Sequence, residues 1–223
     1  MTEIYWVAVG DIHEHTRNLH RIREIPKAQG VLVSGDLTNV GGKSTAQLVM
    51  DEIQGLNPRV YAQIGNMDTQ EVSSYLDELG VNVHNRMVAL TKDVYLLGLG
   101  YSGPTPFHTP SEVQDKQFEE WLSVHKKKAS QARHLIFMTH TPPYGTKTDM
   151  LNYGANVGSQ AVREFIEEVQ PEVCITGHIH EANIEDWLGG TKLINPGPLG
   201  NGGYVRIGYD GVGLDAKLKY VSW

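Results

Sequence analysis

The chain has 223 residues, enough to bury a sizeable core and in the range of one α/β domain, so residues 1–223 are expected to form a single domain. Its 19 Lys plus Arg against 26 Asp plus Glu leave a formal charge of −7, which argues against broad attraction to extended nucleic acid or to a membrane surface. The opening MTEIYWVAVGD lacks a basic segment ahead of a long apolar one, no 18 apolar residues run together, and the single Cys174 excludes an internal disulfide, so a reducing, cytoplasmic setting is expected.

In chain order, residues 4–9 read as a strand and 17–25 as a helix. Residues 30–34 predict a strand, 44–54 a helix, 59–64 a strand and 69–79 a helix with Asp68 or Thr69 as its N-cap. Residues 94–99 follow as a strand, and the stretch 100–110, with three prolines, reads as a loop long enough to overhang a site. A helix is expected over 111–124, with Lys126–Lys128 as the basic end of a helix, then a strand over 134–138, a helix over 159–169 and a strand over 173–176. Strands at 192–194 and 204–209 complete the series, and the glycine turns LGGTK, NGGY and YDGVG predict antiparallel hairpins after His180. Most strand segments are continuously apolar, the pattern of strands buried on both faces. Alternation with helices implies right-handed crossovers and partly parallel sheets. The fold class expected is α/β, a two-layer mixed β-sandwich flanked by helices.

Five apolar runs end alike, in VAVGDIH, VLVSGDLTN, YAQIGNMD, LIFMTHTPP and EVCITGHIH. They place Asp11, His13, Asp36, Asn66, His140, His178 and His180 just beyond strand ends, the edge at which parallel α/β sheets bind ligands. Two carboxylates, one amide oxygen and four imidazoles suit a pair of divalent cations. Each fragment alone reads equally well as a turn or a strand-end residue; their common placement is what makes them a candidate site.

The ordered series D-x-H, G-D, G-N, H, G-H-x-H, followed by Asn195-Pro-Gly, resembles the signature blocks of the calcineurin-like metallophosphoesterase superfamily, and most resembles its small Icc-related phosphoesterases. The resemblance implies an α/β/β/α fold, one metal on Asp11, His13, Asp36 and His180, and a second on Asp36, Asn66, His140 and His178, with Asp36 bridging. It implies manganese or iron; mixed N/O ligation also admits zinc or nickel. The implied reaction is hydrolysis of a small phosphomonoester or phosphodiester, a nucleotide among the candidates, by a hydroxide held between the metals. This chain departs from the family pattern at Met67, where a histidine usually follows the asparagine. Methionine cannot donate a proton, so His15 and His108 are the candidate proton donors. Asp68 is expected to orient a neighbouring histidine or cap the following helix, and Asn195 to support the ligands from its turn. Tyr101, Phe107, Tyr144 and Tyr153 fall in loops near the ligand stretches, where they could stack on a base or aryl group, while His20, His84, His125 and His134 lie outside the blocks and receive no role. Two rival readings are a nuclease, disfavoured by the charge, and a metal-binding scaffold, favoured by Met67 and opposed by the intact ligand set.

Overall fold

The computed structural model describes residues 3–222. Among them are eleven strands: β1 (Ile4–Val9), β2 (Val31–Val33), β3 (Val60–Ala62), β4 (Arg86–Ala89), β5 (Val94–Leu99), β6 (His134–Thr139), β7 (Val173–Ile175), β8 (Ile184–Leu188), β9 (Thr191–Asn195), β10 (Gly203–Tyr209) and β11 (Leu214–Tyr220). The α-helices are α1 (Lys43–Leu56), α2 (Gln70–Glu78), α3 (Asp115–Ser123), α4 (Lys126–Ala129) and α5 (Gln160–Val169). One sheet has the order β11-β10-β1-β2-β3 and the other β4-β5-β6-β7-β9-β8. The strands β1, β2 and β3 are parallel, as are β5, β6, β7 and β9. The pairs β8–β9 and β10–β11 are antiparallel hairpins, as the glycine turns at 188–192 and 209–213 predict.

The two-residue period of a strand sorts the apolar runs into layers. From β1, Trp6 and Ala8 join Leu32, Ile136, Met138 and Ile175 between the sheets. Val7 and Val9 point the other way, with Val31 and Val33, onto Ala46, Val49, Met50 and Ile53 of α1 and Val72 and Leu76 of α2. Leu135 and Phe137 of β6 face Phe118 of α3 and Phe165 of α5. The result is the expected helix–sheet–sheet–helix stack. Trp6, Phe118, Phe137 and Phe165 are its largest fully buried side chains, and truncating one to alanine costs about 3–5 kcal/mol.

Five details differ from the sequence reading. Residues 17–25 form no α-helix; two 3-10 stretches, Thr16–Arg21 and Ile25–Lys27, replace it. Pro26 lacks the N–H that an α-helix continuing through it would donate to Ile22, so the helical pattern breaks into two short stretches there. The helix predicted from 111 starts at Asp115, because Glu112 bridges to Ser102 in extended conformation. Lys126–Lys128 do not end that helix but begin the separate α4. NGGY is no hairpin: it connects β9 of one sheet to β10 of the other. The strand β4 has no counterpart in the sequence reading; its exposed ends and short RMVA sequence are those of a sheet edge.

Candidate active site

Asp11 follows β1, Asp36 follows β2, Asn66 follows β3, His140 follows β6 and His178 follows β7, so five turns from both sheets meet at one edge. Four of the residues have left-handed backbone: Asp11 (φ 46°), His13 (φ 46°), Asp36 (φ 51°) and His178 (φ 68°). Such a conformation costs on the order of 1–2 kcal/mol per non-glycine residue and persists only where neighbours enforce it. Here the turns bond to one another. Asp11 N donates to Gly35 O at 3.0 Å, Ile12 N and His13 N donate to Asp36 O at 2.8 and 2.9 Å, and Gly177 N donates to His140 O at 3.0 Å. Two glycines permit the crowding: a Cβ on Gly65 would lie 2.2 Å from Asp36 Oδ1, and one on Gly177 would lie 2.6 Å from Asp11 Oδ2.

The side-chain donor atoms converge. His13 Nε2 is 3.1 Å from His180 Nε2 and 3.6 Å from Asp36 Oδ2, and His180 Nε2 is 3.2 Å from Asp11 Oδ1. On the other side of Asp36, His140 Nε2 is 3.4 Å from Asp36 Oδ2 and 3.0 Å from Asn66 Oδ1. Asp11, His13 and His180 offer atoms within 4.8 Å of one another, as do Asp11, Asp36 and His140. The His178 ring lies 5.3 Å from that of His140, and the His178 N–H donates to Asp11 Oδ1 at 3.1 Å.

Burial alone would raise the Asp11 carboxyl, but the His180 hydrogen bond and the charges of His140, His180 and His13 bring it down to about 2. Burial pushes His140 down, yet Asp36 and Asp11 raise it to about 9. The His180 imidazole is raised, chiefly through its hydrogen bond to Asp11. Burial and the charge of His140 lower His178 to about 4. The centre is a buried cluster of carboxylates that draws positive charge to itself.

A layer of polar contacts orients these groups. Ser34 O accepts from His140 Nδ1 at 3.0 Å, which leaves Nε2 as the ring nitrogen that faces the centre. Asn66 Nδ2 donates to Thr109 Oγ1 at 2.9 Å, so Oδ1 faces His140. Thr109 Oγ1 in turn donates to Glu112 Oε1 at 2.6 Å, and Glu112 also accepts from Thr109 N at 2.7 Å and Thr105 Oγ1 at 2.6 Å. Sequence reasoning misses Thr109 and Glu112, although Thr109-Pro-Ser-Glu112 has capping-box spacing. Asp68 neither caps α2 nor reaches a histidine. Its buried carboxylate accepts from Leu37 N (3.0 Å), Thr38 N (2.8 Å), Thr38 Oγ1 (2.9 Å) and Gly65 N (3.1 Å), tying the Asp36 turn to the Asn66 turn. Burial and the neighbouring Asp36 charge raise it to about 6. Asn195 Nδ2 donates to Ile179 O at 2.9 Å and Gly177 O at 3.3 Å, bracing the His178–His180 turn.

Above the cluster opens a cavity of about 1000 Å³, lined by His13, Asp36, Asn66, His178 and His180 and by the proline-rich loop at residues 103–110. His108 belongs to this lining; His15 is exposed outside it, with its side chain near Gly200. Phe107 and Tyr153 line the cavity as well, whereas Tyr144 borders a smaller adjoining pocket and Tyr101 packs on His84 and Trp121.

A helix–sheet–sheet–helix stack with a cluster of carboxylates and imidazoles able to hold a metal at the shared strand edge defines the class of the protein, an α/β fold with a candidate metal centre. The model of the calcineurin-like phosphoesterase family matches residues 6–182, and the chain belongs to that family. An uncharacterised protein of Methanocaldococcus jannaschii is 31% identical over 202 residues, covering 87% of this chain and 89% of its own. The protein TT1561 of Thermus thermophilus shares the fold with a TM-score of 0.77 at 17% identity, over 99% of this chain and 100% of that one. A dimetal phosphatase from Danio rerio does so with a TM-score of 0.64 at 11% identity, over 98% and 99% of the two chains.

Proposed function

We propose that the protein is a dinuclear metal-dependent phosphoesterase that hydrolyses a small phosphomonoester or phosphodiester. The observation that carries this reading is the convergence of imidazole and carboxylate atoms, with two sets of three side chains that share Asp11 each offering ligand atoms within 4.8 Å of one another. His140 Nε2 stands 3.0 Å from Asn66 Oδ1, whose amide N–H donates to Thr109, and 3.4 Å from Asp36 Oδ2. His13 Nε2 and His180 Nε2 stand 3.1 Å apart beside two carboxylates. Protons can bridge these atoms, in keeping with the raised His140 and His180, and a divalent cation held by the same donors would take the place of those protons. The donor types fit borderline divalent metals such as manganese or iron.

In this reading Asp11, His13, Asp36 and His180 hold one cation, Asp36, Asn66, His140 and His178 hold the other, and Asp36 belongs to both sets. The cations would supply Lewis acidity and a water activated for attack on phosphorus. The protein's own residues do the rest. The turns fix the donors before substrate arrives, and Asp68 and Asn195 keep those turns in register. His108, in the lining of the cavity, donates a proton to the leaving oxygen, the role that Met67 cannot fill.

The test is metal analysis with hydrolysis of p-nitrophenyl phosphate and bis-p-nitrophenyl phosphate after manganese loading. About two metals per chain and turnover of at least one ester are expected, with Asp36→Asn losing both. Two bound metals without turnover of either ester would refute the enzymatic reading. His108→Ala should slow alkyl esters about tenfold or more relative to p-nitrophenyl esters, whose leaving group hardly needs a proton; equal slowing would remove His108 from the role.

A further inference from the structure

We infer that the cavity selects esters carrying a single phosphate and an uncharged aromatic group, with Phe107 and Tyr153 forming the aromatic subsite. The inference rests on the phosphoesterase reading above and concerns the part of the substrate that is not attacked.

The charge of the lining is the first ground. Among the described residues, the cavity walls include no lysine and no arginine, while Asp36 and Glu181 are acidic. A second phosphate, as in a nucleoside polyphosphate, or the flanking phosphates of a nucleic-acid strand, would find no guanidinium or ammonium to replace its water. Cations held by the donor set would neutralise one phosphate; further anionic groups find no matching charge in the lining.

The second ground is the apolar surface beyond the donors. Val40, Met67, Pro104, Phe107, Leu151 and Tyr153 line the same cavity. Phe107 is 84% exposed and Tyr153 79% exposed, an unusual state for rings that recover contact area when a flat partner stacks on them. They do not sit on loose loops. Phe107 N donates to Thr105 Oγ1 at 3.1 Å, and Thr105 is held by Glu112. On the Tyr153 side, Leu151 N donates to Ala155 O at 2.9 Å, Gly154 N to Leu151 O at 2.8 Å, and Asn152 N to Glu181 Oε1 at 3.3 Å. The backbone that carries the rings is anchored beside the candidate metal centre, so stacking has only their side-chain rotamers to order.

Three diesters with a common p-nitrophenolate leaving group separate binding of the retained group from chemistry: p-nitrophenyl phenyl phosphate, p-nitrophenyl methyl phosphate and p-nitrophenyl 4-carboxyphenyl phosphate. With manganese-loaded protein, kcat/KM for the phenyl ester should exceed that for the methyl ester by about tenfold or more, the range that aromatic stacking supplies. The carboxyphenyl ester should lose most of that advantage. In the Phe107→Ala/Tyr153→Ala double variant the phenyl-to-methyl ratio should fall toward one. A wild-type ratio near one, a ratio unaffected by the double substitution, or equal rates for the phenyl and carboxyphenyl esters would overturn the inference. If no ester is hydrolysed, the phosphoesterase reading fails separately. Calorimetric titration with phenylphosphonate and methylphosphonate then decides the subsite: tighter phenylphosphonate binding that is lost in the double variant supports it, and equal affinities overturn it.

Discussion

His84 gives the fold a specific acid sensitivity. Its Nδ1 accepts the Gly100 N–H at 3.0 Å, and its ring packs 4.6 Å from Trp121 and 4.9 Å from Tyr101. Burial, with the Arg86 charge adding to it, lowers its pKa from 6.5 to about 4. Protonation would set an Nδ1–H against the Gly100 N–H, donor against donor. Because the folded value lies below the unfolded one, the unfolded chain takes up a proton first as pH falls. The contribution is complete above pH 6.5 and shrinks as pH drops toward 4. Near pH 4.5 the loss is on the order of 2–3 kcal/mol, worked from one proton bound by the unfolded chain and little by the native one. His84→Asn keeps an acceptor where Nδ1 stands and does not titrate, at the cost of the ring contacts. Urea unfolding of both proteins, followed by tryptophan fluorescence near pH 7.5 and near pH 4.5, isolates the effect from the other titrating groups. The wild type should lose on the order of 2–3 kcal/mol more than the variant between the two conditions. Equal losses would refute the linkage, and with it the prediction that mild acid loosens the start of the cavity loop at Gly100.

Thr109→Val and Glu112→Gln should each weaken manganese binding about 10- to 100-fold, because the Asn66 amide loses the contact that turns its oxygen inward or the group that holds that contact. Calorimetric metal titration reads this directly, and unchanged affinity in both variants would remove the relay. Asp149 is fully buried and accepts from Gly145 N (3.0 Å), Thr146 N (2.8 Å), Asn156 Nδ2 (2.7 Å) and Gly158 N (2.9 Å). Asp149→Ala leaves these donors unsatisfied and should cost about 3–5 kcal/mol, a fall in Tm on the order of 10 °C; a fall of a degree or two would show that water replaces the carboxylate.

The layers are legible in the sequence because burial on both faces leaves an unbroken apolar run, as in β1 and β6, and the donor set because each candidate ligand ends such a run. Local sequence cannot show which turns bond across space. Asp68 sits at a capping position before α2, so it reads as a cap; its carboxylate instead serves the Asp36 turn, 31 residues away in sequence at Leu37. Pro26 is legible as a helix breaker, yet the amphipathic spacing around it points the other way. Thr109 and Glu112 have the right spacing but no helix to cap, and their task emerges only with Asn66 folded to within 2.9 Å.

Met67 shows the same division between backbone and side chain. Its N–H donates to Asp36 Oδ1 at 2.8 Å, so the position serves the carboxylate through an atom that any residue but proline supplies. The side chain is therefore free to vary without disturbing the donor set, and here it lies in the cavity lining beside Val40 and the proline-rich loop. Where the family pattern has an imidazole, this chain has a flexible, polarisable apolar group suited to contact with an aromatic ring. One substitution thus removes a proton donor and extends the apolar wall. In the function proposed above the proton then comes from His108, and the added apolar surface extends the wall on which a flat retained group would stack.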